Sequence, residues 1–98
     1  MNNLNSILIE GTINNDAILI GNNCTFDLVS NRYYKEKETS ERLAKEITII
    51  NIELLSRQTQ LYFKKLTKGN SVRVVGRIKN NNEKIVIVAE HLELKLKF

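Results

Sequence analysis

The chain has 98 residues, a formal net charge of +4, one cysteine, one histidine, no proline and no tryptophan. That is one domain with an adequate but unspectacular core, and no apolar run approaches the roughly 18 residues that would suggest a membrane helix. A lone Cys24 cannot form an internal disulfide and fits a reducing cytoplasm, and one Cys with one His cannot build a structural zinc site. The N-terminus MNNLNSILIEG lacks the basic region, apolar stretch and cleavage site of a signal peptide.

The charge is unevenly spread. Residues 1–55 carry five Lys/Arg against eight Asp/Glu, a balance of −3, while residues 56–98 carry ten against three, a balance of +7. A basic half on a small domain suits a polyanion such as nucleic acid, and equally describes a solvated basic surface.

In chain order, Leu4 to Ile13 reads as a first strand, with Gly11 marking a bulge or sharp bend. Ala17 to Ile20 and Cys24 to Ser30 read as a second strand interrupted at Gly21-Asn22-Asn23, and alternation places Phe26 in the core. Residues 31–46 are the least apolar stretch and read as a long, mobile loop, with a weak helix over Ser40 to Glu46. Within it, Tyr33 and Tyr34 stand between Arg32 and Lys35. Neighbours on an extended chain point opposite ways, so at least one ring should be exposed. A ring beside cations is a platform for a base with a phosphate grip next to it; the alternative has one ring packed on the barrel and the other merely at the surface.

Ile47 to Leu55 has strand composition, and Ser56 offers a cap to a helix of about three turns that Gly69 ends. Leu61, Tyr62 and Leu66 fall near one helical face, and Lys64, Lys65 and Lys68 crowd the last turn, where the helix dipole favours cations. Val72 to Ile78 forms the fourth strand, with Arg73 and Arg77 opposite the core residues. Asn80-Asn81-Asn82 is a hairpin turn into a fifth strand, Lys84 to Leu94. The centre of that strand, Ile85 to Ala89, is apolar on both faces, which predicts that its outer face meets another subunit. The whole is an all-β chain with one short helix, the plan of a five-stranded OB-fold barrel in a single domain spanning 1–98.

Catalytic signals are lacking: the four glycines are isolated, the only Cys-His pair is Cys24 with His91, and the carboxylates cluster in the charged loop. A binding protein without cofactor or metal, and not an enzyme, is expected.

The order of elements and the stretches LNSILIEGTINND at 4–16, CTFDLVSNRYYKEKE at 24–38, INIELLSRQTQLYFKKLTKGNSVRVVGRI at 50–78 and IVIVAEHLEL at 85–94 resemble the bacterial single-stranded DNA-binding protein (SSB) family over nearly the whole chain. The resemblance implies an OB-fold subunit of a homotetramer, or in some members a dimer, that binds single-stranded DNA without strong sequence preference in replication, recombination or repair. Tyr33 or Tyr34 stands where the family keeps a stacking aromatic; Arg32, Lys35, Arg57, Arg73, Arg77 and Lys79 are the phosphate-contact candidates. The chain departs from the family in having aliphatic Ile49 and Leu55 where aromatics are common, a hairpin cut to a few asparagines, and no acidic tail through which replication proteins would be recruited. Its length also resembles primosomal replication protein N, an SSB-derived dimer. That implies a second expectation, an assembly factor acting mainly through protein contacts with weak DNA binding.

Overall fold

The computed structural model describes residues 1–39 and 41–95; Ser40, part of the predicted weak helix, and Leu96 to Phe98 lie outside the described residues. The strands are β1 (Ile7–Ile13), β2 (Ile18–Ile20), β3 (Asn23–Lys35), β4 (Leu43–Leu54), β5 (Ser71–Asn81) and β6 (Lys84–Lys95), with helix α1 (Ser56–Tyr62) and a single 3₁₀ turn, Phe63–Lys65, between β4 and β5. The sheet order is β1-β5-β6-β4-β3-β2, and a further β1–β3 pairing closes the first five into a ring. That is the five-stranded OB barrel, with β2 added at its side.

Alternation decides what lies inside. Phe26 and Leu28 on β3, Ile52 and Leu54 on β4, Val72 and Val74 on β5 and Ile87 on β6 are fully or almost fully buried. Their strand neighbours Thr25, Asp27, Asn51, Glu53 and Arg73 are partly exposed, as a period of two requires. Gly11 is where β1 serves two partners. It faces Val72 of β5, and the next residue, Thr12, pairs with both Ser71 and Val29. A β-carbon at Gly11 would lie 2.2 Å from the Val29 carbonyl oxygen, so only glycine allows the strands to cross there.

Several expectations are corrected. The second strand is not one interrupted element: β2 and β3 form an antiparallel hairpin, with Ile20 opposite Asn23. The long loop at 31–46 is largely strand. β3 and β4 stay in register from Cys24↔Leu54 out to Lys35↔Leu43, and Leu43 to Glu46 is strand where a weak helix was expected. Both faces of that outer ribbon meet water, so no alternation of polarity marks it in the sequence. The helix is shorter than three turns, Leu55 rather than Ser56 holds the N-cap position, and no side chain caps it. Its inner face runs through buried Thr59, then Tyr62, Phe63 and Leu66, while Leu61 is 59% exposed. The Thr59 hydroxyl donates to the Leu54 carbonyl at 3.1 Å, and the Gln58 amide donates to the Glu90 carbonyl at 2.9 Å. These two bonds pin α1 across the end of the barrel.

The two-sided apolarity of β6 also has another cause. Val86 and Val88 are 4% and 1% exposed within a single chain, so their burial needs no second subunit; Ile85 alone of that run stays exposed. A register shift at Val75/Gly76 of β5 accompanies this burial. Gly76 permits the close approach, since a β-carbon there would sit 2.2 Å from the Val88 carbonyl oxygen.

Candidate nucleic-acid interface

The outward row of β3 and β4 reads, from barrel to tip, Thr25/Glu53, Asp27/Asn51, Val29/Ile49, Asn31/Ile47, Tyr33/Lys45 and Lys35/Leu43. At the barrel end this row floors an open groove of about 810 Å3. Ile20 of β2 lies along one side; Lys79, Asn81, Lys84 and Ile85 of the β5–β6 hairpin lie along the other. An OB barrel presents its ligand face between these two hairpins, on the strands equivalent to β3 and β4. The turn beneath the second wall is Asn82-Glu83, and Asn82 adopts a left-handed φ of 58°, which asparagine tolerates.

The floor is polar. The Asn51 side-chain amide donates to the Thr25 hydroxyl at 2.6 Å, to Asp27 Oδ1 at 3.1 Å and to the Phe26 carbonyl at 3.3 Å. Thr25 in turn donates to the Ile52 carbonyl at 3.0 Å. The Asp27 backbone amide donates to Asn15 Oδ1 at 3.0 Å, tying the floor to the turn after β1. Lys79 Nζ stands 3.7 Å from Glu53 and spans β5 to β4 across the groove.

Beyond the floor the row turns apolar, with Ile49 at 59% and Ile47 at 55% exposure, and then reaches Tyr33 at 60%. Tyr33 is four residues past Val29, about 13 Å along the strand at the usual rise. Tyr34 points to the other face of the ribbon, where the Arg32 guanidinium lies 5.2 Å from its ring centroid, within cation–π range. Lys35 faces the same way as Tyr33 at the end of the register, opposite Leu43.

The nominated cations divide by location. Lys79 lines the groove. Arg77 is on the same strand, 3.8 Å from Glu90. Arg73 lies on the surface shared by β1, β5 and β6, where it contacts Glu10 at 3.0 Å and Glu93 at 3.7 Å. Lys95 also pairs with Glu10, and these two cations hold the Glu10 carboxyl below its ordinary pKa. Arg57 follows the Leu54 end of β4, while Tyr33 is nine residues along β3 from Leu54's partner Cys24, roughly 30 Å of strand. The structure therefore groups Tyr33, Lys35 and Lys79 along one surface and leaves Arg73 and Arg57 outside it. Of the ten cations of the second half, Arg73, Arg77, Lys79 and Lys95 stand in ion pairs with Glu10, Glu53, Glu90 or Glu93. Lys84, Lys45, Ile20, Ile47, Asp27 and Asn51 belong to this surface and were not singled out from sequence. The Phe26/Leu28 alternation itself puts Asp27 on the outer face of β3; Lys84 needed the hairpin's position in space.

No family model and no curated protein matches the chain. Solved structures do. The SSB of Plasmodium falciparum, in complex with single-stranded DNA, superposes with a TM-score of 0.79 at 21% identity, covering 97% of each chain. A small single-stranded DNA-binding protein from Streptomyces coelicolor gives 0.74 at 16% identity over 98% of this chain and 96% of that one. The Thermus aquaticus protein gives 0.68 at 21% identity, with 95% of this chain matching 50% of that chain. At these identities the likeness establishes the OB fold of the SSB proteins.

Proposed function

We propose that the chain binds single-stranded DNA without strong sequence preference, as an SSB-like component of DNA replication, recombination or repair. The observation that carries this reading is the groove across β3 and β4, walled by β2 and the β5–β6 hairpin and continued by exposed Tyr33. Bases stack on Tyr33 and lie against Ile49 and Ile47, while Lys35, Lys79 and the neighbouring cations hold phosphates. The ion pairs of Arg77 and Lys79 leave these side chains 43% and 49% exposed, so each pair is worth at most about 1 kcal/mol and a phosphate can compete for it. Superposition with the DNA complex of the Plasmodium protein supports the reading. Assembly as a homo-oligomer, tetramer before dimer, belongs to it and is supported by the exposed Leu8 of β1. A cytoplasmic setting is supported by the single, buried, unpaired Cys24. The test is fluorescence anisotropy of labelled oligo-dT across a salt series; binding that is undetectable at low salt, or indifferent to salt, refutes the proposal.

A second reading, an assembly factor with little DNA affinity, draws on Ile47 and Ile49, which are open and aliphatic where stacking would want rings. It requires that replacing both Tyr33 and Tyr34 by alanine leave any DNA binding unchanged.

A further inference from the structure

Resting on the DNA-binding reading, we infer that the groove floor discriminates between bases, favouring those that carry an exocyclic amino group, with cytosine bound more tightly than thymine. The polar side chains of the floor present mainly acceptors. Asp27 uses one carboxylate oxygen to accept from Asn51 at 3.1 Å, and among the described residues no side-chain donor reaches the other. Asn51 spends its amide nitrogen on Thr25, Asp27 and the Phe26 carbonyl, so what it has left to offer is its Oδ1 acceptor. Glu53 adds a second carboxylate, 3.7 Å from Lys79. The cations, Lys79 and Lys84, stand on the β5–β6 wall.

Two consequences follow from charge. A phosphate on the floor would meet two carboxylates, so the strand lies with its phosphates toward the lysine wall and its base edges toward Asp27 and Asn51. A base edge arriving there must bring donors. The N4 amino group of cytosine is a natural partner for Asp or Glu, whereas thymine presents the O4 carbonyl at the equivalent place. Thymine's one edge donor, N3–H, lies between the O4 and O2 carbonyls, which would meet the carboxylate with it. Adenine and guanine also carry amino groups, but their larger rings stack differently. The two pyrimidines share one ring size, and a deoxyuridine oligonucleotide, which lacks thymine's methyl group, stands beside dT so that the edge effect is read apart from methyl contact.

The experiment is anisotropy with labelled dC, dT and deoxyuridine oligonucleotides of one length at pH 8, at a salt concentration where all the curves saturate. We expect dC to bind at least about fivefold more tightly than either of the others. Asp27→Asn is near-isosteric: its amide oxygen can keep the Asn51 bond while the open acceptor becomes a donor, and the dC/dT ratio should fall below twofold or invert. Glu53→Gln, further from the Asp27–Asn51 cluster, should reduce the ratio less. Circular dichroism and a thermal melt confirm that each variant is folded; if Asp27→Asn is not, Glu53→Gln must lower the ratio by itself. Equal or tighter binding of dT or deoxyuridine by the unaltered protein, or an unchanged ratio in the folded variants, overturns this inference and leaves DNA binding standing. Absence of binding to every oligonucleotide overturns the DNA reading and this inference with it.

Discussion

Arg32 and Tyr34 form a cation–π pair, the guanidinium carbon 5.2 Å from the ring centroid, while Tyr33 between them turns its ring to the opposite face of β3 and to solvent. The two tyrosines are adjacent in sequence yet unequal in availability. One ring is already engaged by its own strand, and the other is open.

Tyr33→Ala should therefore cost DNA binding about 1–3 kcal/mol, the range for one stacked base. Tyr34→Ala should cost distinctly less. Titration of both single variants with the same oligonucleotide checks the order; equal losses would mean that the Arg32 contact opens on binding.

Lys79→Ala and Lys84→Ala should each flatten the dependence of log K on log salt by about 0.7, the increment for one phosphate contact on a single strand. Arg73→Ala should leave the slope unchanged, because Arg73 lies among Glu10 and Glu93 on the β1–β5–β6 surface. Slopes from three or more salt concentrations decide it.

Gly76→Ala should destabilise the fold by about 3 kcal/mol or more, at the top of the range for overpacking, since its new carbon would sit 2.2 Å from the Val88 carbonyl oxygen and backbone cannot yield like a side-chain tip. Gly11→Ala meets the Val29 carbonyl at the same 2.2 Å and should behave alike. Urea unfolding measures both.

Burial pushes the Cys24 thiol pKa upward from 9.0, with the nearby Thr59 hydroxyl partly offsetting it. Raised in the folded state, the thiol contributes stability that is complete below the unfolded value and is lost as pH rises through the folded one. Stability should thus decline above about pH 9, more steeply than in Cys24→Ala, and a thiol reagent should modify the native protein only as fast as it opens. Melting curves from pH 7 to 10.5 test the first point and reaction rates the second.

Light scattering at micromolar concentration should give a mass of at least a dimer. A monomer mass would remove the assembly proposal.

The barrel was legible because burial imprints alternation: Phe26, Leu28, Ile52, Val72 and Val74 announce their strands, and all are buried. The outer β3–β4 ribbon was not legible, because Arg32, Tyr33, Lys35 and Lys45 meet water on whichever face they lie. β6 misled for the opposite reason. Its run looked like a subunit contact, yet Val86 and Val88 are covered by their own chain. At the site, the Tyr33 position could be argued from local composition, whereas the meeting of Asp27, Asn51, Lys79 and Lys84 depends on strands far apart in sequence.

The only parallel contact in the described sheet, β4 with β6, rests on Ile52↔Ile87 and Glu53↔Val88. It closes the ring using a strand close to the chain's last residues, just as β1 waits for β5 and the Asn5 side chain for Ile78, 73 residues away. A nascent chain therefore cannot complete the barrel until β6 has emerged. Folding should be slow for so small a domain, on the millisecond-to-second scale of non-local β topologies.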